Sequence, residues 1–439
     1  MKRYFFLFLA CCFLLTGCAA IDNIPKPPKV TPVPAAEAVQ ETASPAAEVP
    51  DASSEPAAEP TAEPTPSPAV QKQGFMIHFE HNVREVFDPE SGTERILTFA
   101  WDDVRVESDA VPEAAAKVTE ALAALEDEWY TGSNGGEGDF SGFDAMLSAA
   151  EDNYGIAREF GGEMECSATR DISVIRADDE VLVFELFDYY FLGGAHGSYD
   201  VQTVCFDAKT GDQLSLETLS GDSQALKDRL LSEMLRLAAE DQDSYYSDRL
   251  DLTAPEDYET AFKGLLRDGS WSLGTDAFSV SSDLYELGSY AAGITTFRIP
   301  YESLSEIPGM DRWIPQNTDE TGTVRIAQLS DVPDGSVEIV DRVVIGEGGE
   351  TFLLVADGCV KDFRIRSAYY GDRFYPEREL YYCGSLRDAA VQLALLLPEE
   401  MPDTMVSYRD ASGEHEYVIS YSAAEGTAVL TENEVAVFG

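Results

Sequence analysis

Phe187-Asp188-Tyr189-Tyr190-Phe191-Leu192-Gly193-Gly194-Ala195-His196-Gly197-Ser198-Tyr199 is the stretch on which the reading of this chain turns. Three glycines and an alanine surround one histidine, and aromatic residues flank the group on both sides. Glycine allows the backbone to turn tightly and to approach another surface closely, so the segment reads as a tip between two strands. Glu180 to Tyr190 before it and Tyr199 to Phe206 after it carry a β-branched and aromatic strand pattern. Asp178-Asp179 and Lys209-Thr210-Gly211-Asp212 supply the turns beyond. With Met164 to Thr169 and Ile172 to Arg176 ahead of them, the simplest connection is an antiparallel meander.

Further out, Phe75 to Glu80 and Thr93 to Val106 predict an opening antiparallel pair around the turn Asp88-Pro89-Glu90-Ser91-Gly92. Helical spacing predicts helices over Glu113 to Trp129, introduced by Pro112, and over Phe143 to Phe160. Ala225 to Ala239 is the strongest helix, with Leu226, Leu230, Met234 and Leu237 in one stripe. Another short helix runs from Pro255 to Arg267, and strand pieces fall at Phe278 to Val280 and Thr296 to Ile299. The expected fold class is α+β: a two-layer antiparallel sheet with packed helices over residues 74–315. A small β-sandwich-like C-terminal domain follows over residues 316–439. Its short strands are Val324 to Ala327, Val337 to Val344, Thr351 to Val355, Cys359 to Ile365, Glu379 to Cys383, Tyr417 to Tyr421 and Ala428 to Leu430. Asp357-Gly358 and Ser412-Gly413 are its expected hairpin turns, and Leu386 to Leu396 its one helix.

The 439 residues include 30 Lys and Arg against 81 Asp and Glu, a formal charge of -51. Phosphate backbones would be repelled, so nucleic acid is not an expected partner. Hydrophobic residues at 44% are enough to build real cores despite that charge. Lys2 and Arg3, then the apolar run Tyr4 to Leu15, form a secretory signal, too short to span a bilayer. The run ends in Leu15-Thr16-Gly17-Cys18, which resembles the lipobox of bacterial lipoproteins. Residues 1–17 are therefore expected to be removed and Cys18 to carry a diacylglyceryl anchor. That anchor is the sole membrane contact expected, on the outer face of the bacterial cytoplasmic membrane. Residues 19 to 73 hold 12 of the 22 prolines and no aromatic residue, which makes residues 18–73 an extended tether. About -48 of the charge then belongs to residues 74–439.

Cys166, Cys205, Cys359 and Cys383 remain after processing, an even count that allows three pairings in an oxidising compartment. One pair per domain, Cys166 with Cys205 and Cys359 with Cys383, is the simplest choice. No Cys-x-x-Cys supports metal ligation. His78 and His81 have an H-x-x-H look, but a spacing of three on a strand puts them on opposite faces, so no shared metal is expected. No familiar catalytic or cofactor fingerprint is present, and no cofactor is expected. His196 is the one histidine in a suggestive setting. As chemistry it is a general base needing a carboxylate such as Asp188 or Asp200. As structure, it bonds carbonyls of a loop that joins two strands, and this second reading carries more weight.

Tyr190-Phe191-Leu192-Gly193-Gly194-Ala195-His196-Gly197 is followed by Phe206-Asp207-Ala208-Lys209-Thr210-Gly211. Later come Phe278, Tyr285, Tyr290, Gly293 and Ile299-Pro300-Tyr301. In these blocks residues 75 to 305 resemble a pair of bacterial extracellular domains of unknown function. That pair is shared by the lysozyme-sensing ectodomain of the anti-sigma factor RsiV and the amino-terminal half of the peptidoglycan deacetylase PdaC. The resemblance implies an α+β fold and, in one branch, binding of lysozyme, a strongly basic protein. A spanning helix with a sigma-binding segment and a deacetylase domain are both missing here, so neither activity is implied. The expectation is a non-enzymatic surface lipoprotein that binds a basic protein or an envelope glycan such as peptidoglycan. Its expected binding residues are Tyr189, Tyr190, Gly193, Gly194, Ala195, His196, Gly197 and Tyr199. The alternative is a cell-wall hydrolase using His196.

Overall fold

In the computed structural model the glycine-centred stretch is the tip of a hairpin. The residues described are 74–132, 142–162, 164–241, 255–315, 319–345, 350–370, 374–394, 403–422 and 426–433. The expected signal, Cys18 and the expected tether lie outside them. The hairpin's arms are β4 (Val181–Phe191) and β5 (Ser198–Asp207), in register from Val181↔Asp207 to Tyr190↔Ser198. β3 (Cys166–Ala177) pairs antiparallel along the other edge of β4, so the expected meander is present, with the two pieces expected before β4 joined into one strand.

Alternate residues of β4 enter two different cores. Leu182, Phe184 and Leu186 meet Ile172, Val174 and Phe206 beneath helix α1 (Pro112–Thr131), which contributes Ala115, Val118 and Leu122. Val181 and Val183 face the other way, where the amphipathic stripe Leu226, Leu230 and Met234 of helix α3 (Ser223–Glu240) covers them. Helix α4 (Pro255–Gly264) and a three-stranded sheet close this second core. That sheet is formed by β6 (Trp271–Leu273), β7 (Ala277–Ser281) and β8 (Thr296–Pro300). Each fully buried Leu, Val or Phe stabilises the fold by roughly 1.5–3 kcal/mol, so two apolar faces anchor β4 far more firmly than one would.

β1 (Met76–Phe87) and β2 (Arg95–Glu107) form the opening antiparallel pair, joined by a turn in which the Asp88 carboxylate accepts from the backbone N–H of Ser91. One expectation is corrected here. The sheet is mixed, because β2 runs parallel to β3 from Leu97↔Cys166 to Trp101↔Arg170. The chain crosses over through α1 and helix α2 (Phe143–Glu159), and a crossover of that length is what a parallel pair requires.

The C-terminal region is built mainly of strands, with one 3-10 turn at Leu329–Asp331 among its described residues. β9 (Gly322–Gln328) and β10 (Glu338–Val344) precede β11 (Thr351–Tyr370) and β12 (Phe374–Arg387). β13 (Ala389–Ala394), β14 (Asp403–Asp410), β15 (Gly413–Ser422) and β16 (Thr427–Glu432) follow. Two local readings are corrected. Residues 386–394, expected as helix, end β12 and form β13; a short run buried on both faces has no period to distinguish it from a helix. Asp357-Gly358, expected as a hairpin turn, lies within β11. Gly358, at φ +85°, bends the strand so that residues 351–358 pair with β9 and β13 while residues 359–370 pair with β12 and β14. The expected turn at Ser412-Gly413 is present, between Asp410 and Gly413. β12 also pairs with β1 through Met76↔Cys383, Ile77↔Tyr382 and His78↔Tyr381, so one large sheet runs from β5 to β16. No helix among the described residues is long and apolar enough to cross a membrane.

Both expected disulfides are overturned: Cys166, Cys205, Cys359 and Cys383 are free and buried. Cys205 lies level with Val183 and so with Arg176, ten residues along β3 from Cys166, roughly 33 Å at ~3.3 Å per residue. Cys359 stands opposite Arg387 and Cys383 opposite Phe363, a stagger of roughly 13 Å against the ~7 Å that a disulfide spans between Cα atoms. Burial pushes the Cys205 and Cys383 thiols up to about 12, which keeps them protonated and unreactive. A chain beginning at residue 74, denatured without reductant, should titrate all four of these thiols; a count of two or none would restore a bridge.

Candidate functional site

The hairpin tip stands on the strand register below it. Tyr189 pairs directly across from Tyr199, and Phe187, on the same face, stacks on Tyr199 with ring centroids 5.9 Å apart. Asp188 and Tyr190 point to the opposite face, as alternation along a strand demands. The turn itself uses Gly193 and Gly194 at φ +111° and +103°, where side chains are strained. Gly197 serves a different need: a Cβ there would sit 2.4 Å from the Tyr189 hydroxyl.

Ala195 and His196 are exposed at the tip. The His196 ring stacks on Tyr290 with centroids 3.9 Å apart and planes 26° apart. Its Nδ1 lies 2.8 Å from the Gly197 carbonyl, a bond that makes Nδ1 the donor. Nε2 is thereby left as acceptor for the Tyr285 hydroxyl at 3.5 Å. Tyr290 in turn meets Tyr199 and Tyr285, at 6.3 and 5.9 Å. Burial, then the neighbouring phenols of Tyr199, Tyr189 and Tyr285, raise the Tyr290 hydroxyl above its ordinary range. Tyr285 adopts φ +68°, a left-handed conformation costly for a large aromatic residue, yet it remains 51% exposed. Its loop is closed at the base by two bonds between Ser282 and Thr295, and Arg267 holds Asp283 and Glu286.

The structure therefore joins His196, Tyr189, Tyr199 and the glycines of the expected set into one aromatic face. Tyr190 is set apart from it, packed on the far side against the Phe99 core. Tyr285 and Tyr290 complete the face, and nothing in their local spacing points to it; a fold-level pairing of residues nearly a hundred apart brings them in.

Beneath the hairpin, Asp188 is not available to His196. Arg170 on β3 takes both its oxygens at 2.6 Å, donates to the Leu125 carbonyl, and lies 5.1 Å from the centre of the Trp129 ring. Neither ring nitrogen of His196 bonds a carboxylate among the described residues. Asp200, across from Asp188, is pushed up by burial and by the charges of Asp283 and Asp188. Among the described residues the tip thus lacks the histidine–carboxylate pair of a general base.

The contact between His81 and Asp102 is structural. Where β2 and β3 part after Trp101↔Arg170, the buried Asp102 accepts the Ile172 N–H at 3.0 Å, and His81 holds its other oxygen at 3.0 Å. A cavity of about 780 Å³ lies elsewhere, and several of its charged side chains are already paired. Arg312 meets Glu180 and Asp207, Arg409 meets Asp362, and Arg176 meets Asp178. Volume alone does not make it a site.

The chain is similar to two solved structures. One is a DUF3298 family protein from Pseudomonas aeruginosa PAO1, 19% identical, covering 54% of this chain and 97% of that one, with a TM-score of 0.34. The other is a member of the same family from Bacteroides fragilis NCTC 9343, 15% identical, covering 55% and 99%, with a TM-score of 0.39. No family model and no curated protein matches the chain.

Glu126 on α1 is the most perturbed acid near the site. Burial is the main cause, Asp188, Asp102 and Asp103 add to it, and Arg170 at 3.8 Å only partly offsets them, so its carboxyl is raised to about 8. Neither oxygen has a hydrogen-bond partner. The folded chain holds this proton where the unfolded chain, near 4.5, releases it. The contribution to stability is complete below about pH 4.5 and is lost as pH rises through about 8, by up to about 1.4 kcal/mol per pH unit. Glu126→Gln should remove that slope and be more stable than wild type by a few kcal/mol above about pH 8. Urea unfolding at several pH values checks it, and parallel pH profiles for the two proteins would refute it.

Proposed function

We propose that the protein is an exported lipoprotein, tethered through Cys18 to the outer face of the bacterial cytoplasmic membrane. Its aromatic hairpin tip binds a basic protein such as lysozyme without transforming it. The observation that carries this reading is the stack of His196, Tyr290 and Tyr285, in which His196 and Tyr285 are exposed, on a chain of formal charge -51. A Lys or Arg head laid on those rings gains about 0.5–1 kcal/mol from the π face at an exposed site. The overall charge of -51 attracts such a partner once it comes within about a Debye length and so favours encounter. The β-rich C-terminal region serves as support or as a second contact.

An envelope glycan is the second reading, favoured by the same flat aromatic surface, against which the apolar face of a sugar can lie. Hydrolysis through His196 has less support, since its nitrogens are engaged by Gly197 and Tyr285.

Immobilised lysozyme should retain the protein at low salt and release it as salt rises. The double variant His196→Ala, Tyr290→Ala should bind about tenfold more weakly. Failure to bind at any salt concentration, or unchanged binding by the variant, rejects the basic-protein reading. Purified peptidoglycan in parallel decides the rest. Salt-insensitive retention selects the glycan, and fragment release abolished by His196→Ala selects a hydrolase. Separately, Cys18→Ala should move the protein from the membrane fraction to the soluble one; persistence in the membrane would refute the anchor.

A further inference from the structure

On the face of β1 away from His81, four side chains from four strands converge. His78 lies on β1 and Glu107 on β2. Tyr381 on β12 is the residue paired with His78 in the sheet, and Asp341 comes from β10. Asp341 sits where the register of β10 against β13 shifts, and such a bulge re-aims a side chain. His78 Nε2 is 3.0 Å from Asp341 Oδ2 and 3.7 Å from Glu107 Oε2, and the three groups offer ligand atoms all within 4.8 Å of one another. Arg105 holds the other oxygen of Glu107, which leaves Oε2 to His78.

His78 Nε2, Asp341 Oδ2 and the Tyr381 hydroxyl are shut off from solvent; His78 and Tyr381 lie against Asp341, and Tyr381 also against Cys383, yet none of these contacts has hydrogen-bond geometry. The 3.0 Å approach of His78 to Asp341 lacks the required geometry. Tyr381 is completely buried, with its ring edge-on to His78 at 5.4 Å. Buried polar atoms without partners are rare, and three of them around one point call for a group between them. We propose that His78, Glu107 and Asp341, with the Tyr381 hydroxyl behind them, bind one divalent transition-metal cation of the zinc class. One imidazole and two carboxylates neutralise such an ion, and the nitrogen ligand favours zinc over the all-oxygen preference of calcium or magnesium.

The second triad of this kind, His81, Asp102 and Asp171, provides the contrast. There both oxygens of Asp102 are engaged, and Arg378 already stands 3.4 Å from Asp171. A guanidinium occupies the place of a cation. At His78 the ligands come from strands at both ends of the sequence, so a bound ion ties β10 to the opening pair. Because the unfolded chain scatters these ligands, the ion stabilises the folded state.

The test uses the full-length chain without a polyhistidine tag, in detergent, stripped with a chelator and titrated with zinc chloride by calorimetry, with manganese and calcium chlorides in parallel. One zinc ion per chain should bind and raise Tm. His78→Gln and Asp341→Asn should each weaken binding at least about tenfold and abolish the Tm rise. Glu107→Gln, at a half-exposed position, should weaken it too and covers the case in which the buried variants do not fold. Asp171→Asn should leave the titration unchanged. The proposal is overturned if neither zinc nor manganese binds, if calcium binds best, if Glu107→Gln or the folded buried variants bind as wild type does, or if only Asp171→Asn loses the ion.

Discussion

Strand β4 is the constraint from which the rest of the structure follows. Val181 to Phe184 are all buried, with alternate side chains committed to α1 on one face and α3 on the other. Slipping the register by one residue would send Phe184 into the slot of a valine and every neighbour to the wrong face. Because β4 cannot slide, Tyr189 must meet Tyr199, and the glycine tip must project at one height beside the loop that carries Tyr285 and Tyr290. The exposed rings therefore rest on a rigid base, which lowers the ordering cost of binding.

The two halves of the chain are tied by groups that would be costly to leave alone. β1 hydrogen-bonds to β2 on one edge and to β12 on the other. Arg364 of β11 donates to the Val174 carbonyl of β3 and to Glu379, and its guanidinium lies 4.8 Å from the centre of the Tyr382 ring. A buried guanidinium without those partners would destabilise the fold by several kcal/mol. The contact thus acts less as an added attraction than as a condition: β11 is tolerated in one place relative to β3.

What the sequence disclosed follows from how far apart the deciding residues are. α1 and α3 were legible because Val118 and Leu122, or Leu226 and Leu230, repeat on one helical face within a few residues. The β4–β5 hairpin was legible because glycines sit between two strand patterns. β13 was not, since Ala389 to Ala394 is buried on both sides and carries no period. The bend at Gly358 was not, since Asp-Gly inside a strand and Asp-Gly in a hairpin look alike until partners are known. At the tip, His196 and its tyrosines could be named, but Tyr285 and Tyr290 join them only through tertiary packing. The disulfide expectation rested on an even count, and strand register, which no count contains, places the thiols out of reach.

The charge of the protein acquires its meaning from how its few cations are used. Arg170 is committed to Asp188, Arg312 to Glu180 and Asp207, Arg364 to Glu379 and Arg267 to Asp283 and Glu286. With 30 Lys and Arg against 81 Asp and Glu, such pairing leaves a large majority of carboxylates unbalanced. Their field decays over a Debye length of about 8 Å at physiological salt, so it reaches an approaching partner only in the last stage of encounter. Under the proposed reading, selection by charge would therefore act at the range where contact begins, where the hairpin and its neighbouring loop present the exposed His196 and Tyr285. An aromatic tip on an acidic body would then distinguish a basic surface from a neutral one by two terms that fail under different conditions. Salt screens the carboxylates, whereas the packing of His196 against Tyr290 does not depend on it.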